Sequence, residues 1–269
     1  MRFFWITFSC LSIPLISFAS DNQPFGARAF GMAYSSVTLS DEWSSFNNVA
    51  GLASIRHPYA TIGYNNDFGL KSLNKTAVGI IFPAKFGVPA FHLFKYGNND
   101  YSELSASLGY AHQISQVSLG LQLHYLQTSI DELGSKRSFV IEFGGIVEII
   151  PEKLFFGATV YNINQAKSGE DHIPTTMKAG LSYRPDKKIM INIETNKDIS
   201  FAANFRGGIE YSIIKNAQIR TGISSTPFMN FFGAGFNYKN CRLDYALSIQ
   251  HPLGLSHQIS FSFQFRKNK

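Results

Sequence analysis

FGARAFGMAYSSVTLSDEWSSFNNVAGLA, residues 25–53, is the stretch that separates two unlike parts of this chain. It is rich in Gly, Ala and Ser, and it lacks the alternation of apolar and polar residues that marks a β-strand. Ser40 is placed to cap a short helix, with Asp41 and Glu42 in its first turn. Because the chain after residue 58 alternates and this stretch does not, we predict that residues 25–53 pack against, or inside, the end of a large β-barrel.

Fourteen strand candidates follow this stretch, each with apolar residues at every second position. In the last candidate, Leu255, Ile259 and Phe261 alternate with Gln258 and Ser260. Alternation is weakest between residues 59 and 96. The predicted spans are 59–66, 75–82, 89–96, 102–112, 117–127, 138–149, 154–162, 175–183, 188–195, 203–212, 217–224, 230–238, 242–250 and 255–265.

The links between these candidates are of two kinds. Links after even-numbered strands are short, whereas several links after odd-numbered strands are longer, as in outer-membrane barrels. The longer links are 67–74, 128–137, 163–174 and 196–202. The sequence therefore predicts an all-β fold, a transmembrane antiparallel barrel of about 14 strands with both chain ends on the periplasmic side.

Tyrosines support the membrane assignment. Near strand ends they would suit the aromatic girdles of a membrane barrel, although strand propensity accounts for part of this placement. The tyrosines so placed are Tyr59, Tyr64, Tyr96, Tyr101, Tyr125, Tyr161, Tyr183, Tyr211 and Tyr238.

Composition limits the function classes. Charged residues make up 16% of the chain, below the roughly 25% of soluble domains, and the net charge of +6 is spread without a basic patch. We therefore predict no nucleic-acid partner. The seven histidines show no metal-ligand spacing, and no Gly-x-Ser-x-Gly elbow or phosphate loop is present. We predict no catalytic residue, cofactor or metal, and we do not expect an enzyme.

Residues 1–19 are predicted to be a signal peptide. Arg2 precedes a short apolar run, and Ser17-Phe18-Ala19 fits a small-x-small cleavage site. The mature chain is expected to begin near Ser20 or Asp21; a buried N-terminal strand is the alternative. Of the two cysteines only Cys241 would remain, which excludes an intramolecular disulfide.

The N-terminal stretch resembles the signature of FadL-like outer-membrane β-barrels, and especially that of the PorV/PorQ group of Bacteroidota. The signature is Gly-x-Arg-Ala-x-Gly-Met-Gly, an acidic pair and Asn-Pro-Ala-Gly-Leu. Here Val49 replaces the proline, and Ala33 and Tyr34 replace a Gly-rich pair. The matching residues are Gly26, Arg28, Ala29, Gly31, Met32, Asp41, Glu42, Asn48, Ala50, Gly51 and Leu52.

The resemblance implies a division of the chain. It places a plug or hatch segment at residues 20–58 and the transmembrane barrel at 59–269, after the signal peptide at 1–19. In the FadL-like family the N-terminal segment plugs the lumen. A loose periplasmic tail is the alternative for this segment.

The strand faces opposite the apolar ones predict a lumen with charges of both signs. Paired interior charges explain such a lumen without a substrate, so we favour an ion-paired interior over a polar conduit. The predicted lumen-facing charges are Glu142, Glu148, Lys178, Arg184, Glu194, Arg206, Glu210, Arg220, Arg242 and Asp244.

Two functions fit the resemblance. One is passage of small hydrophobic molecules across the outer membrane of a Gram-negative bacterium, with membrane lipid and a small hydrophobic ligand as partners. The other is an accessory barrel for protein secretion or surface attachment, as in type IX secretion, acting through secretion-machinery proteins. The longest predicted outer loop, 163–174, is short for a long-chain fatty-acid site and leaves little surface for a large partner. We therefore favour the passage of small molecules.

Overall fold

The computed structural model describes residues 24–198 and 202–265, so the predicted signal peptide lies outside the described residues. Fourteen strands form a closed barrel in which β1 pairs with β16 and each strand is antiparallel to its neighbours. Two further short strands form a separate hairpin. The strands are β1 Tyr59–Asn66, β2 Asn74–Ile81, β3 Val88–Gly97, β4 Tyr101–Ile114, β5 Val117–Ile130, β6 Gly134–Ile150, β7 Leu154–Tyr161, β8 Lys167–Ser168, β9 Asp171–His172, β10 Thr176–Tyr183, β11 Ile189–Asp198, β12 Asn204–Ile214, β13 Ala217–Ser225, β14 Phe228–Tyr238, β15 Cys241–Gln250 and β16 Gly254–Gln264.

The all-β barrel prediction is confirmed, and each of the fourteen predicted spans coincides with one barrel strand. Bounds differ by one or two residues in most strands, including those between 59 and 96 where alternation was weakest. We call the end where β1 begins and β16 finishes the lower end, and the opposite end the upper end. The segment before β1 also approaches the barrel from the lower end.

The predicted loop at 128–137 is wrong. β5 continues to Ile130 and β6 resumes at Gly134, which leaves a turn of residues 131–133. Here Ser129 pairs with Ser102 of β4 and with Ser135 of β6, so the backbone ladder continues where the side chains are polar on both faces. Alternation reports a strand only where one face is apolar, which is why it missed this extension. The contrast between short lower turns and long upper loops is accordingly weaker than expected.

The outer face of the barrel is apolar. Along β1, Ile62 is 53% exposed and Tyr64 is 43% exposed, whereas Thr61, Gly63 and Asn65 are buried and face inward. The same alternation runs through the other strands and places most of the large exposed apolar side chains on the outside. In water such a continuous patch would be unstable, so this surface fits the hydrocarbon of a bilayer.

The aromatic girdle is only partly as predicted. Tyr183, Tyr211 and Tyr238 are exposed on the outer face near the lower end. Tyr161 is 3% exposed and packs with Val140 on the inside, so its assignment to the girdle is wrong. Sequence position near a strand end does not fix the face; only the parity of the residue within its ladder does.

Three short helices organise the N-terminal segment: α1 Ala27–Gly31, α2 Ser44–Asn47 and a 3-10 helix at Val49–Ser54. α2 begins four residues after Ser40, because Asp41 Oδ1 accepts from the backbone of Trp43 and holds a turn before the helix. No helix in the described ranges is long and apolar enough to cross a membrane.

Candidate functional site

The N-terminal segment packs against inward-facing residues of all fourteen barrel strands. Glycines on the strands allow its backbone to approach. A Cβ added to Gly120 of β5 would lie 2.7 Å from the Ala50 nitrogen, and one added to Gly222 of β13 would lie 2.6 Å from the Ala33 nitrogen. Glycine inside a strand often marks close approach of another backbone. These inward glycines were a signal in the sequence that strand alternation alone did not use.

Glycines within the segment are equally constrained. Gly26 has φ +106°, and a Cβ there would lie 2.7 Å from the Trp43 ring. A Cβ on Gly51 would lie 2.4 Å from the Leu39 carbonyl oxygen, and one on Gly31 would meet the Cα of Gly233. The signature glycines are therefore explained by packing in a crowded space.

Asn48 ties the segment to itself and to the wall. Its side-chain amide donates to the Val37 carbonyl at 2.6 Å and to the Gly145 carbonyl at 3.2 Å. Its Oδ1 accepts from the Ala50 backbone and caps the 3-10 helix. The signature proline is therefore not needed at Val49 to fix this turn.

One side of the interior carries a connected set of charges, which we call the charged flank. Arg28 donates to Glu210 at 2.6 and 2.9 Å and to Asp41 at 3.2 Å. Arg220 bridges Glu210 and, at 2.7 Å, Asp244. The set is completed by Arg242, which lies 2.8 Å from Asp244 and 3.7 Å from Glu42. Charges of opposite sign thus alternate from the segment to the wall and back.

The other predicted lumen charges fall in three places. Glu194 accepts from the backbones of Ser36 and Val37 at 2.8 Å, with Arg206 at 3.9 Å. Glu142 and Lys178 are buried on the inner face of β6 and β10. Glu148 and Arg184 lie at the lower turns instead, where Glu148 accepts from the backbone of Glu152 and Arg184 stacks on Phe155.

Burial and neighbouring charges shift the pKa values of the segment's groups. Burial disfavours the charge of Arg28, but Glu210 and then Asp41 outweigh it and raise the pKa of Arg28 above its ordinary value. Burial raises the pKa of the Glu42 carboxyl, against the opposing effect of Arg242. At the lower rim, burial and the nearby Arg28 lower the pKa of Arg184 to about 10.

The opposite side of the interior, the apolar flank, is held by hydrocarbon contacts. There the 3-10 helix packs on inward residues of β2, β3 and β4, which are small or branched. Above it, Phe25, Trp43 and Phe46 stack on one another with ring centroids 5.5–5.9 Å apart. The apolar flank comprises Val49, Leu52, Ala53, Ile55, Ile81, Val88, Ala90 and Ala111.

A polar ladder on β4, β5 and β6 was not anticipated from the sequence. Ser107 Oγ lies 2.8 Å from His124 Nδ1, and His124 Nε2 lies 3.1 Å from Glu142 Oε2. A serine, a histidine and a carboxylate are also the parts of a nucleophilic site. Ser107 is only 1% exposed, however, so no substrate reaches it in this conformation. The ladder satisfies buried polar groups along the wall.

The loop at residues 162–175 folds inward over the upper end. Ile173 packs on Val140 and Tyr161, which face the lumen, and Asn162 donates to the Ile173 carbonyl at 2.7 Å. The β8–β9 hairpin within this loop is fastened to the rim by Ser138, which donates to the Lys167 carbonyl. The longest upper loop therefore covers the lumen on the side of β5 to β7.

Two cavities lie on the other side of the lumen. The upper cavity has a volume of about 210 Å³ and is lined by Phe30, Tyr34, Arg206, Met229 and Phe231, among others. The lower cavity has a volume of about 630 Å³ and is lined by Arg28, Leu39, Arg184, Met190 and Glu210, among others. An apolar cluster of Ala29, Met32, Leu39 and Met190, with Tyr34 against it, lies between them.

No protein-family model matches the chain, and neither does any curated protein. Similar solved structures include CymD, described as a monoaromatic hydrocarbon channel, with TM-score 0.69, 11% identity and coverage of 91% of this chain and 98% of that one. The toluene transporter TodX of Pseudomonas putida has TM-score 0.68 and 11% identity, covering 90% and 98%. A FadL homologue of Pseudomonas aeruginosa has TM-score 0.66 and 10% identity, also covering 90% and 98%. At these identities the similarity concerns the fold: this chain has the fold of FadL-type barrels.

Proposed function

We propose that this protein passes small hydrophobic molecules across the outer membrane of a Gram-negative bacterium, with residues 20–58 as a plug. The observation that carries the proposal is the pair of cavities beside the N-terminal segment, separated by apolar side chains. An apolar barrier excludes hydrated ions, whereas an uncharged hydrophobic solute pays little to cross it. The proposal agrees with the names of the similar structures, which include a monoaromatic hydrocarbon channel and a toluene transporter. Those structures are channels and transporters rather than enzymes, which agrees with a non-enzymatic role.

The direct test is uptake. A Gram-negative host that makes the protein is compared with the same host carrying an empty vector, and the initial rate of radiolabelled toluene uptake is measured. We expect a faster rate with the protein and no change for glucose of similar size. Equal toluene rates in the two hosts would refute the proposal.

The plug is tested separately by ion conductance in planar bilayers. A 14-stranded barrel is too wide for its own side chains to fill, because interior width grows roughly linearly with strand number. Removal of residues 21–53 should therefore raise the conductance well above that of the full mature chain. Heat-modifiable migration on a denaturing gel shows that the shortened barrel is folded. A folded barrel that conducts no more than the full chain would contradict the plug.

The alternative, an accessory barrel of type IX secretion like those of the PorV/PorQ group in Bacteroidota, rests on the N-terminal signature at residues 26–52. The inward fold of residues 162–175 leaves little of the longest upper loop free for a protein partner. Loss of secreted proteins from the cell surface on gene deletion, with toluene uptake unchanged, would favour this alternative.

A further inference from the structure

We infer that small single-ring aromatic molecules cross the barrel along β11 and β12, through a seal that Met32 forms against Gly208. This inference rests on the proposed function and specifies its route and substrate class. It follows from the contents of the upper cavity, the contacts below it and the continuity of the wall.

The upper cavity fits one aromatic ring. Its volume of about 210 Å³ compares with the roughly 150 Å³ of an apolar protein cavity that binds benzene. Phe30 lies 5.2 Å from Tyr34 and 5.4 Å from Phe231 between ring centroids, so three aromatic faces and edges line one side. Arg206 and Ser224 line the remainder, which leaves room for a single polar substituent. A long acyl chain would not fit this volume.

Three levels follow one another down the inner face of β12. Arg206, at the top, lines the upper cavity, and Glu210, at the bottom, lines the lower one. Gly208 lies between them, and a Cβ added there would be 2.5 Å from the Met32 Cβ. Met32 thus occupies the space that any other residue at 208 would fill.

The seal is apolar and flexible at this level. Met32 is fully buried between Ala29, Leu39 and Met190, and Leu39 and Met190 also line the lower cavity. Methionine is unbranched and adopts many rotamers, so Met32 and Met190 can move aside without displacing the backbone. Beside them, Ser35 is fixed to the wall by Asn192, which donates to the Ser35 carbonyl at 2.7 Å. The moving parts are therefore the two methionine side chains.

The wall itself is continuous at this position. Asn192 pairs with Gly208 and Ile193 with Gly207, within a ladder that joins β11 to β12. An outer groove of about 700 Å³ lies over Gly207, lined by Leu181, Ile193, Phe205 and Ile223, among others. A solute leaving sideways into this groove would have to break ladder hydrogen bonds, whereas the path past Met32 breaks none.

Two matched substitutions test the seal. Met32→Ala removes side-chain volume between the cavities, and Leu52→Ala removes similar volume from the apolar flank of the same segment. We expect Met32→Ala to raise the initial rate of toluene uptake and the ion conductance severalfold, and Leu52→Ala to leave both near the wild-type values. Met190→Ala, on the wall side of the seal, should act like Met32→Ala and serves as the second variant if Met32→Ala does not fold.

The outcomes separate the route from the function. Equal effects of Met32→Ala and Leu52→Ala on conductance would overturn the seal, even if the wild-type protein carries toluene. A wild-type protein that carries no toluene would overturn the proposed function, while a rise in conductance confined to Met32→Ala and Met190→Ala would still support the passage. Gly207→Leu fills the outer groove and should leave toluene uptake unchanged; loss of uptake in this variant would overturn the luminal route in favour of a lateral one.

Discussion

The two flanks of the N-terminal segment hold it to the barrel by different physics. The charged flank joins it to β12, β13 and β15 through alternating arginines and carboxylates, whereas the apolar flank packs it on β2, β3 and β4. The cavities and the methionine seal lie on the side of the charged flank, and the inward-folded loop covers the other side of the lumen. Hydrocarbon packing makes a close-fitting anchor, and ion pairs hold a surface together while leaving space beside it. The difference assigns anchoring to one flank and passage to the other.

The largest effect is expected from breaking the charged flank at its centre. Arg220 is buried between Glu210 and Asp244, so Arg220→Met leaves carboxylates buried without their partner. Removal of one partner of a buried ion pair typically costs about 3–5 kcal/mol. Urea unfolding in detergent micelles, followed by tyrosine and tryptophan fluorescence, measures the loss. A loss below about 1 kcal/mol would show that these charges are solvated in the folded protein.

A comparable but smaller loss is expected on the apolar flank. Leu52 is fully buried, and Leu→Ala at such sites typically costs about 2–5 kcal/mol, depending on how far the site collapses. Because no titratable group changes, the pH dependence of stability should stay that of the wild type. A change in that pH dependence in Leu52→Ala would show that the two flanks are coupled.

Glu42 sharpens the comparison through pH. Its Oε1 has no hydrogen-bond partner, and burial raises its pKa above the ordinary 4.5. A raised folded-state pKa gives stability that is present below pH 4.5 and is lost as pH rises through the folded value. Glu42→Gln should remove this loss, so that the variant is at least as stable as the wild type at pH 7. Unfolding free energies measured between acid and neutral pH check this, and a variant clearly less stable at pH 7 would contradict it.

The smallest effect is expected outside both flanks. Lys136 and Asp171 form an ion pair at 3.1 Å with side chains 55% and 65% exposed. Exposed pairs contribute roughly 0–1 kcal/mol, so Lys136→Ala should be near the error of the unfolding measurement. It is the control for Arg220→Met, since both remove one cation from an ion pair. A loss as large as that of Arg220→Met would mean that the fastening of residues 162–175, rather than burial, sets the cost.

The sequence by itself determined the barrel and its faces. Each strand carries its own record of burial, because side chains alternate between lipid and lumen every second residue. Leu255, Ile259 and Phe261 are exposed on the outside, and Gln258 and Ser260 are buried inside, as alternation predicted. The inward glycines also carried local information, since a glycine at a lumen position marks an approaching backbone.

Only the tertiary structure decided how the interior is connected. Arg28, Glu210 and Asp244 lie far apart in sequence, and their pairing through Arg220 depends on the register between β12, β13 and β15. The placement of Met32 on Gly208, and the inward turn of residues 162–175, likewise depend on contacts between distant segments. Alternation specifies which face a residue occupies but not what it meets there, because the partner is chosen by ladder register and by the path of the enclosed segment.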